Sequence, residues 1–332
     1  MSDTAVRSDS PARRLNIDMR TLSPFIALAA LIIAGALVNP DFLTASNLLN
    51  VVTRSAFIAI IAVGATFVIA GGGLDLSVGS MAGFVAGVMI LVLNALGTAE
   101  ASTLALGILA ALALGAACGL ANGLIVTYGR IEPFIVTLGT MGIFRALLIF
   151  LAAGGTITIR NLELREIYRP IYFGNLFGVP IPIIVFLAVA AAGALILYKT
   201  AFGRHVVALG SNEEVARYSG VPLNRVRTLT YVIQGLCVGI AVLVYVPRLG
   251  SATPTTGLLW ELQAITAVVI GGTALRGGVG RVWGTVVGAI ILELVANIMV
   301  LSNLVSEFLV GAVQGAIIII AMLVQRGLQR GR

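Results

Sequence analysis

Long apolar runs, broken by short polar or glycine-rich stretches, follow one another along almost the whole chain. A bilayer's hydrocarbon core takes about 20 apolar residues per helix, and segments of that kind occur at 24–38, 55–70, 81–96, 104–126, 134–153, 181–197, 229–246, 262–273, 282–299 and 308–324. The pattern predicts an all-α polytopic membrane protein with about ten transmembrane helices, a transmembrane domain over 23–326 between tails at 1–22 and 327–332. Segment 262–273 is short unless extended back through Trp260, so it reads as a broken or re-entrant piece. Only two connections exceed tight-turn length: 154–180, which mixes arginines with Glu163 and Glu166 and suits a small cap, and the polar stretch 199–227. Loops longer than about 12–15 residues are usually functional or disordered.

Composition removes the soluble alternatives. The chain has 332 residues, 59% of them apolar and 11% charged, against about a quarter charged in an ordinary soluble domain. Its mean hydropathy of +1.06 leaves too little polar surface to face water. Cys118 and Cys237 both lie in apolar runs, where free cysteines pack as inert core residues. The net charge of +7 comes from arginines scattered between apolar blocks, which argues against nucleic acid and for membrane orientation. With both termini cytoplasmic, fifteen Lys and Arg fall on inner segments and four, Arg160, Arg165, Arg169 and Arg248, on outer loops. The 1–22 segment lacks the apolar stretch and cleavage site of a signal peptide and reads as a cytoplasmic tail.

An internal repeat emerges at a shift of 201 positions: 68–90 against 269–291 gives ten identities in 23 positions, six of them not glycine. Paired glycine-interrupted segments in two halves of a membrane protein point to a transport pathway. The first copy, GGGLDLSVGS at 71–80, offers Gly72, Gly73, Asp75, Ser77 and Gly79 as pathway candidates, because non-helical backbone at membrane depth survives only beside protein or water. Asp75 has two readings of equal weight: a functional ionisable group near a span, or a solvated residue of an inner turn with Ser77 or Ser80 capping the next helix. Its counterpart in the repeat is Arg276, which makes an ion pair between the halves conceivable. Glu293, well inside its span and expected to face the protein interior, and Asn297 complete the pathway candidates, while Arg54 and Arg145 are expected to snorkel. Asn94, Asn122, Thr140 and Asn297 are further hydrogen-bonding candidates, although polar residues in spans more often join helices.

In the inner stretch, Ser211 and Asn212 followed by Glu213 and Glu214, then Ala216, Arg217, Ser219 and the stop at Gly220, spell a short capped helix. A helix that short is marginal alone, so docking on a partner is the attractive account. Enzyme signals are missing from the sequence. The single lysine, Lys199, follows Tyr198, so there is no Walker A phosphate cradle, and the single histidine, His205, offers no metal cluster.

Taken in order, NPDFLTASNLLNV at 39–51, GGGLDLSVGS, FGRHVVALGSNEEVARYSGV at 202–221 and WELQAITAVVIGGTALRGGVGRVWGTVVGAII at 260–291 resemble the ribose-type permease subunits of bacterial ATP-binding-cassette sugar importers. The resemblance runs from Asn39 to Val324. It implies a multi-pass inner-membrane homodimer, a cytoplasmic ATPase subunit and a periplasmic or extracellular sugar-binding protein. It also implies that the chain binds no cofactor, ATP being used by the partner. By the same resemblance 212–220 is the coupling helix, and Asp75 with its glycines lies near the pathway. The chain departs from the family pattern at Gly71, where Thr is usual, at Glu261-Leu262-Gln263, where Glu-Leu-Asp is usual, and at Glu293, where a small residue is common. These departures bear on the solute. A nucleoside, a branched-chain amino acid or another small solute is the alternative cargo. An autonomous ion-coupled carrier is disfavoured by the scarcity of ionisable groups deep in the spans.

Overall fold

The structure is a computed structural model that describes residues 19–302 and scattered positions between 309 and 319. The tenth expected span, 308–324, the tail 327–332 and nearly all of the tail 1–22 therefore lie outside the described residues, apart from those few positions. The described chain is helical with small strand pairs on one end: α1 (Met19–Val38), a 3-10 turn (Pro40–Leu43), α2 (Ala45–Ala70), α3 (Val78–Leu96), α4 (Ala101–Tyr128) and α5 (Pro133–Leu151) come first. A cap at one end of the bundle follows, made of β1 (Ile157–Thr158), α6 (Leu162–Tyr168), α7 (Pro170–Phe173), β2 (Asn175–Leu176) and β3 (Val179–Pro180). Then come α8 (Ile181–Lys199), α9 (Ala201–Ser211), α10 (Glu213–Tyr218), α11 (Leu223–Leu249), β4 (Ser251–Ala252), α12 (Trp260–Ile270) and α13 (Val282–Ser302).

Among the described residues seven helices, α2, α3, α4, α5, α8, α11 and α13, are long and apolar enough to cross a membrane, and Leu22–Val38 and Trp260–Ile270 are shorter apolar helices. Helix α2 is central: 83% of its most apolar stretch is buried, against 28% in α4 and α5, whose faces are largely exposed. Lipid tails are as apolar as leucine, so exposed leucines on those faces cost nothing, and close packing of small residues holds the bundle instead. Gly115, Gly119 and Gly123 form a four-residue stripe on α4 that meets Tyr231, Gly235 and Thr228 of α11 backbone to backbone. A Cβ on Gly235 would strike the Gly115 carbonyl, and one on Gly115 would strike that of Gly235.

Three expectations change. Helix α2 begins ten residues before the predicted span, because Thr44 caps it, its hydroxyl accepting from the Asn47 amide at 3.4 Å, and the polar first turns continue the same helix. The stretch 199–227 is mostly ordered helix: α9 precedes the predicted short helix, with Thr200 as its cap. The repeat is real in form but its register differs. Helices α2 and α12 end identically at a shift of 200: Gly71 and Gly271 occupy the cap, Gly72 and Gly272 have φ of 82° and 85°, and the amides of Gly73 and Thr273 bond the carbonyls of Val68 and Val268. The following helices start at Val78 and Val282, so the second loop is four residues longer. The glycines at 79, 83, 87 and at 280, 284, 288 pair at the shift of 201, which matches neither the shift of 200 at the helix ends nor that of 204 at the following helix starts.

The outer connection packs as the expected cap. Ile157 and Thr158 pair antiparallel with Ala252 and Ser251, and the Asn94 side chain donates to Thr158 O at 2.8 Å while accepting from the Arg160 amide at 2.9 Å. The buried Tyr168 hydroxyl donates to Leu243 O at 3.0 Å, tying the cap to α11.

Candidate functional site

At the end opposite the cap, the loops after α2 and α12 meet α9. A Cβ at Gly277 would meet Gly210 and Gly72, and the Gly278 amide bonds Ala70 O at 2.9 Å. Positive φ at Gly72, Gly277 and Gly278 is the conformation that glycine adopts without strain, and it lets three backbones touch. These loops help line a cavity of about 1180 Å³ that also reaches the C-terminal end of α4 and the N-terminal end of α11. Gly72 and Gly73 line it, as do five arginines: Arg130, Arg217, Arg225, Arg227 and Arg276.

Asp75 and Ser77 lie behind that cavity, buried, and do not line it. The solvated-turn reading of Asp75 is therefore wrong. Its Oδ1 accepts from the Ser77 amide at 2.8 Å and the Ser77 hydroxyl at 2.6 Å, and Asn122 of α4 donates to that hydroxyl at 2.8 Å. Leu74 O accepts from the Tyr231 hydroxyl at 3.3 Å and the Thr137 hydroxyl at 3.4 Å. The loop is thus locked to α4, α5 and α11 by side chains from each. The suggested Asp75–Arg276 pair does not form: Arg276 faces the cavity, and Asp75 is engaged by Ser77.

The remaining candidates separate. Gly79 lies under α12, where a Cβ would strike Gly257 O and the Glu261 carboxylate. Glu293 is half-buried in α13, within electrostatic reach of Arg54 and Arg248. Asn297 is a helix joint: it exchanges two hydrogen bonds with Asn47 of α2, at 3.0 and 2.9 Å. Asn94 anchors the cap, and the Thr140 hydroxyl turns back to Thr137 O at 3.3 Å. Arg54 is exposed and lines a second, outer cavity of about 580 Å³ with Arg248. Arg145 does not snorkel. Its NH1 donates to Pro254 O at 2.6 Å and Thr256 O at 2.7 Å, because the backbone before α12 runs through turns whose carbonyls, outside any helix, need donors.

The predicted inner helix exists as α10. Asn212 caps it, accepting from the Val215 amide at 3.0 Å, and Gly220, with φ of 77°, stops it as the Val221 amide bonds Ala216 O. Ala216 is buried, Glu213 bridges Arg217 at 3.3 Å and Arg227 at 2.5 Å, and the Ser219 hydroxyl turns back to Val215 O. Sequence reasoning missed what the helix presents outward: Val215 is 59% and Tyr218 84% exposed. An apolar residue and an aromatic three positions apart on a capped helix were the available signal.

No group of three or more His, Cys, Asp or Glu that could hold a metal ion occurs among the described residues.

Residues 47–322 match the model of a family described as branched-chain amino acid transport system / permease component. The chain is 38% identical over 320 residues to the ribose import permease protein of Bacillus subtilis, covering 95% of this chain and 96% of that one. It is 37% identical over 302 residues to the ribose import permease protein of Haemophilus influenzae, covering 90% and 91%. Against the L-arabinose transport system permease protein of Escherichia coli it is 34% identical over 307 residues, covering 92% and 90%. With seven spanning-length helices in a glycine-packed bundle and a family match over most of its length, the chain is a multi-pass membrane protein belonging to the permease-component family of these transport systems.

Proposed function

We propose that the chain is the transmembrane permease subunit of an ATP-binding-cassette importer that carries a monosaccharide across the bacterial inner membrane. The observation that carries the reading is the near full-length identity to ribose and arabinose permeases. Ten spans with both termini cytoplasmic, the unseen tenth being 308–324, complete the proposed topology. The chain supplies the conduit and no ATPase site of its own. A cytoplasmic ATP-binding subunit docks on α10 and the cavity beside it, a soluble sugar-binding protein delivers solute from outside, and a second copy of the chain completes the pathway as a homodimer.

Helix α10 suits that docking role on physical grounds. Its inner face is fixed by Ala216 and by the Glu213 bridges, so a push on Val215 and Tyr218 moves a rigid body joined to α9 and to the glycine contact at 72, 210 and 277. Gly72 and Gly73 form the pathway's inner mouth in this reading, Asp75 and Ser77 hold that mouth in shape, and Gly79 lets α12 approach α3. Glu214→Lys combined with Arg217→Glu, or Tyr218→Ala alone, is expected to reduce co-purification of the ATPase at least tenfold while membrane insertion is unchanged. Undiminished co-purification of both variants removes the docking assignment.

The family description favours one alternative cargo, a branched-chain amino acid. Uptake measured in liposomes holding the assembled importer, with ribose, arabinose, xylose and leucine offered with their binding proteins, decides between them.

A further inference from the structure

Arg145 and Glu261 form a charged site that none of the roles above uses. Arg145 stands twelve residues from the inner end of α5, and Glu261 nine from the inner end of α12, roughly 18 and 13 Å at 1.5 Å per residue. Both are therefore well inside the hydrocarbon layer. They act on each other electrostatically but form no ion pair within 4.0 Å, and both are only half-buried. Charges at such depth face protein or water and not lipid.

The backbone around them is built to hold them there. Before α12 the chain runs through turns over 254–259, with Gly257 at φ 77° set against the Gly79 carbonyl and Thr256 O set against Gly83. Phe57, Tyr245 and Trp260 pack tilted and edge-on, with centroids 4.7–5.2 Å apart, and fix where α12 begins. The two hydrogens of Arg145 NH1 satisfy Pro254 O and Thr256 O, which leaves the other three guanidinium N–H donors. The Glu261 carboxylate, above Gly79, supplies acceptors only. On the neighbouring turns of α5, Gly139 and Gly142 have nothing within 4 Å of where a Cβ would stand, so the wall beside the pair is low and open.

We infer that Arg145 and Glu261 are a solute-contact site at mid-membrane depth, facing the water of the pathway and taking a neutral polyhydroxyl solute. A sugar hydroxyl both donates and accepts, so it satisfies the carboxylate and the free guanidinium donors together, whereas an anionic solute is repelled by Glu261. Charge-assisted hydrogen bonds of this kind are the stronger ones. The inference rests on the permease reading, and its test separates the two.

Thiols react with water-soluble reagents as thiolates, which form only where water reaches. In native membranes Glu261→Cys is expected to label with a membrane-impermeant, water-soluble maleimide at least tenfold faster than the unmodified chain, whose Cys118 and Cys237 are buried. In the reconstituted importer Glu261→Gln, which keeps the shape, is expected to lower sugar uptake about tenfold while the partner's ATPase is still stimulated by loaded binding protein. Labelling no faster than the unmodified chain, or uptake equal to the unmodified importer, overturns the site. If the unmodified assembly itself carries no sugar, the permease reading fails, and the labelling arm still decides whether the pair faces water.

Discussion

Asp75 shows how one buried carboxylate organises a loop. Its Oδ1 takes both donors of Ser77 where α3 begins, and Ser77 in turn takes the amide of Asn122. A hydrogen bond to a charged group contributes about 1.5–3 kcal/mol, so Asp75→Ala is expected to destabilise the chain by that order and to lower transport. Asp75→Asn keeps an acceptor at the same place and is expected to recover most of the loss. Thermal unfolding in detergent, read beside uptake, checks both; equal behaviour of the two variants would show that the hydrogen bond is not what matters. The sequence singled out Asp75 because charge is rare in such a chain, yet it did not say which way the residue points. For Arg145 it pointed wrongly: a long basic side chain in an apolar run ordinarily reaches for an interface, and only the fold reveals two carbonyls at membrane depth that need its donors.

At the scale of elements, glycine spacing does most of the work. Gly115 and Gly119 of α4 receive the α11 backbone at Gly235 and Tyr231, so Gly235→Val forces the helices apart. Overpacking of this kind costs about 1–3 kcal/mol, and the variant is expected to unfold at lower temperature and to yield less folded protein, measured by size-exclusion chromatography after heating. The Asn47–Asn297 pair is a second joint between α2 and α13. Asn297→Ala is expected to cost about 0.6–1.7 kcal/mol, the range for interhelical hydrogen bonds in membranes, without changing solute preference; a changed preference would return Asn297 to the pathway. Spans were legible because hydropathy reports hydrocarbon directly. The short helix 213–218 was legible because its cap and its stop are local. The repeat was legible only in form, since the four residues by which the second loop is longer split one repeat into two registers that a single shift cannot show.

For the whole molecule, the described surfaces divide by chemistry. A strand-tied cap closes one end, and five arginines and an exposed short helix mark a cavity at the other. Function then requires more than this chain: liposomes holding the chain alone are expected to show no solute uptake under an ion gradient, and uptake is expected to appear when ATP, the ATP-binding subunit and loaded binding protein are supplied. Gradient-driven uptake by the lone chain would restore the ion-coupled carrier.

What the sequence by itself determined is everything that depends on neighbours in the chain or on average polarity: the membrane as solvent, the places of the seven long apolar helices among the described residues, the capped helix at 213–218, the glycine loops and the family they resemble. What only the tertiary structure decided is where distant residues meet. It placed Gly72, Gly210 and Gly277 in one contact, turned Asp75 inward onto Ser77, engaged Asn297 with Asn47, and set Arg145 on the carbonyls before α12. The physical reason is that hydropathy and capping are short-range properties, whereas the partner of a buried polar group is chosen by whichever unsatisfied donor or acceptor the packed helices bring within about 3 Å.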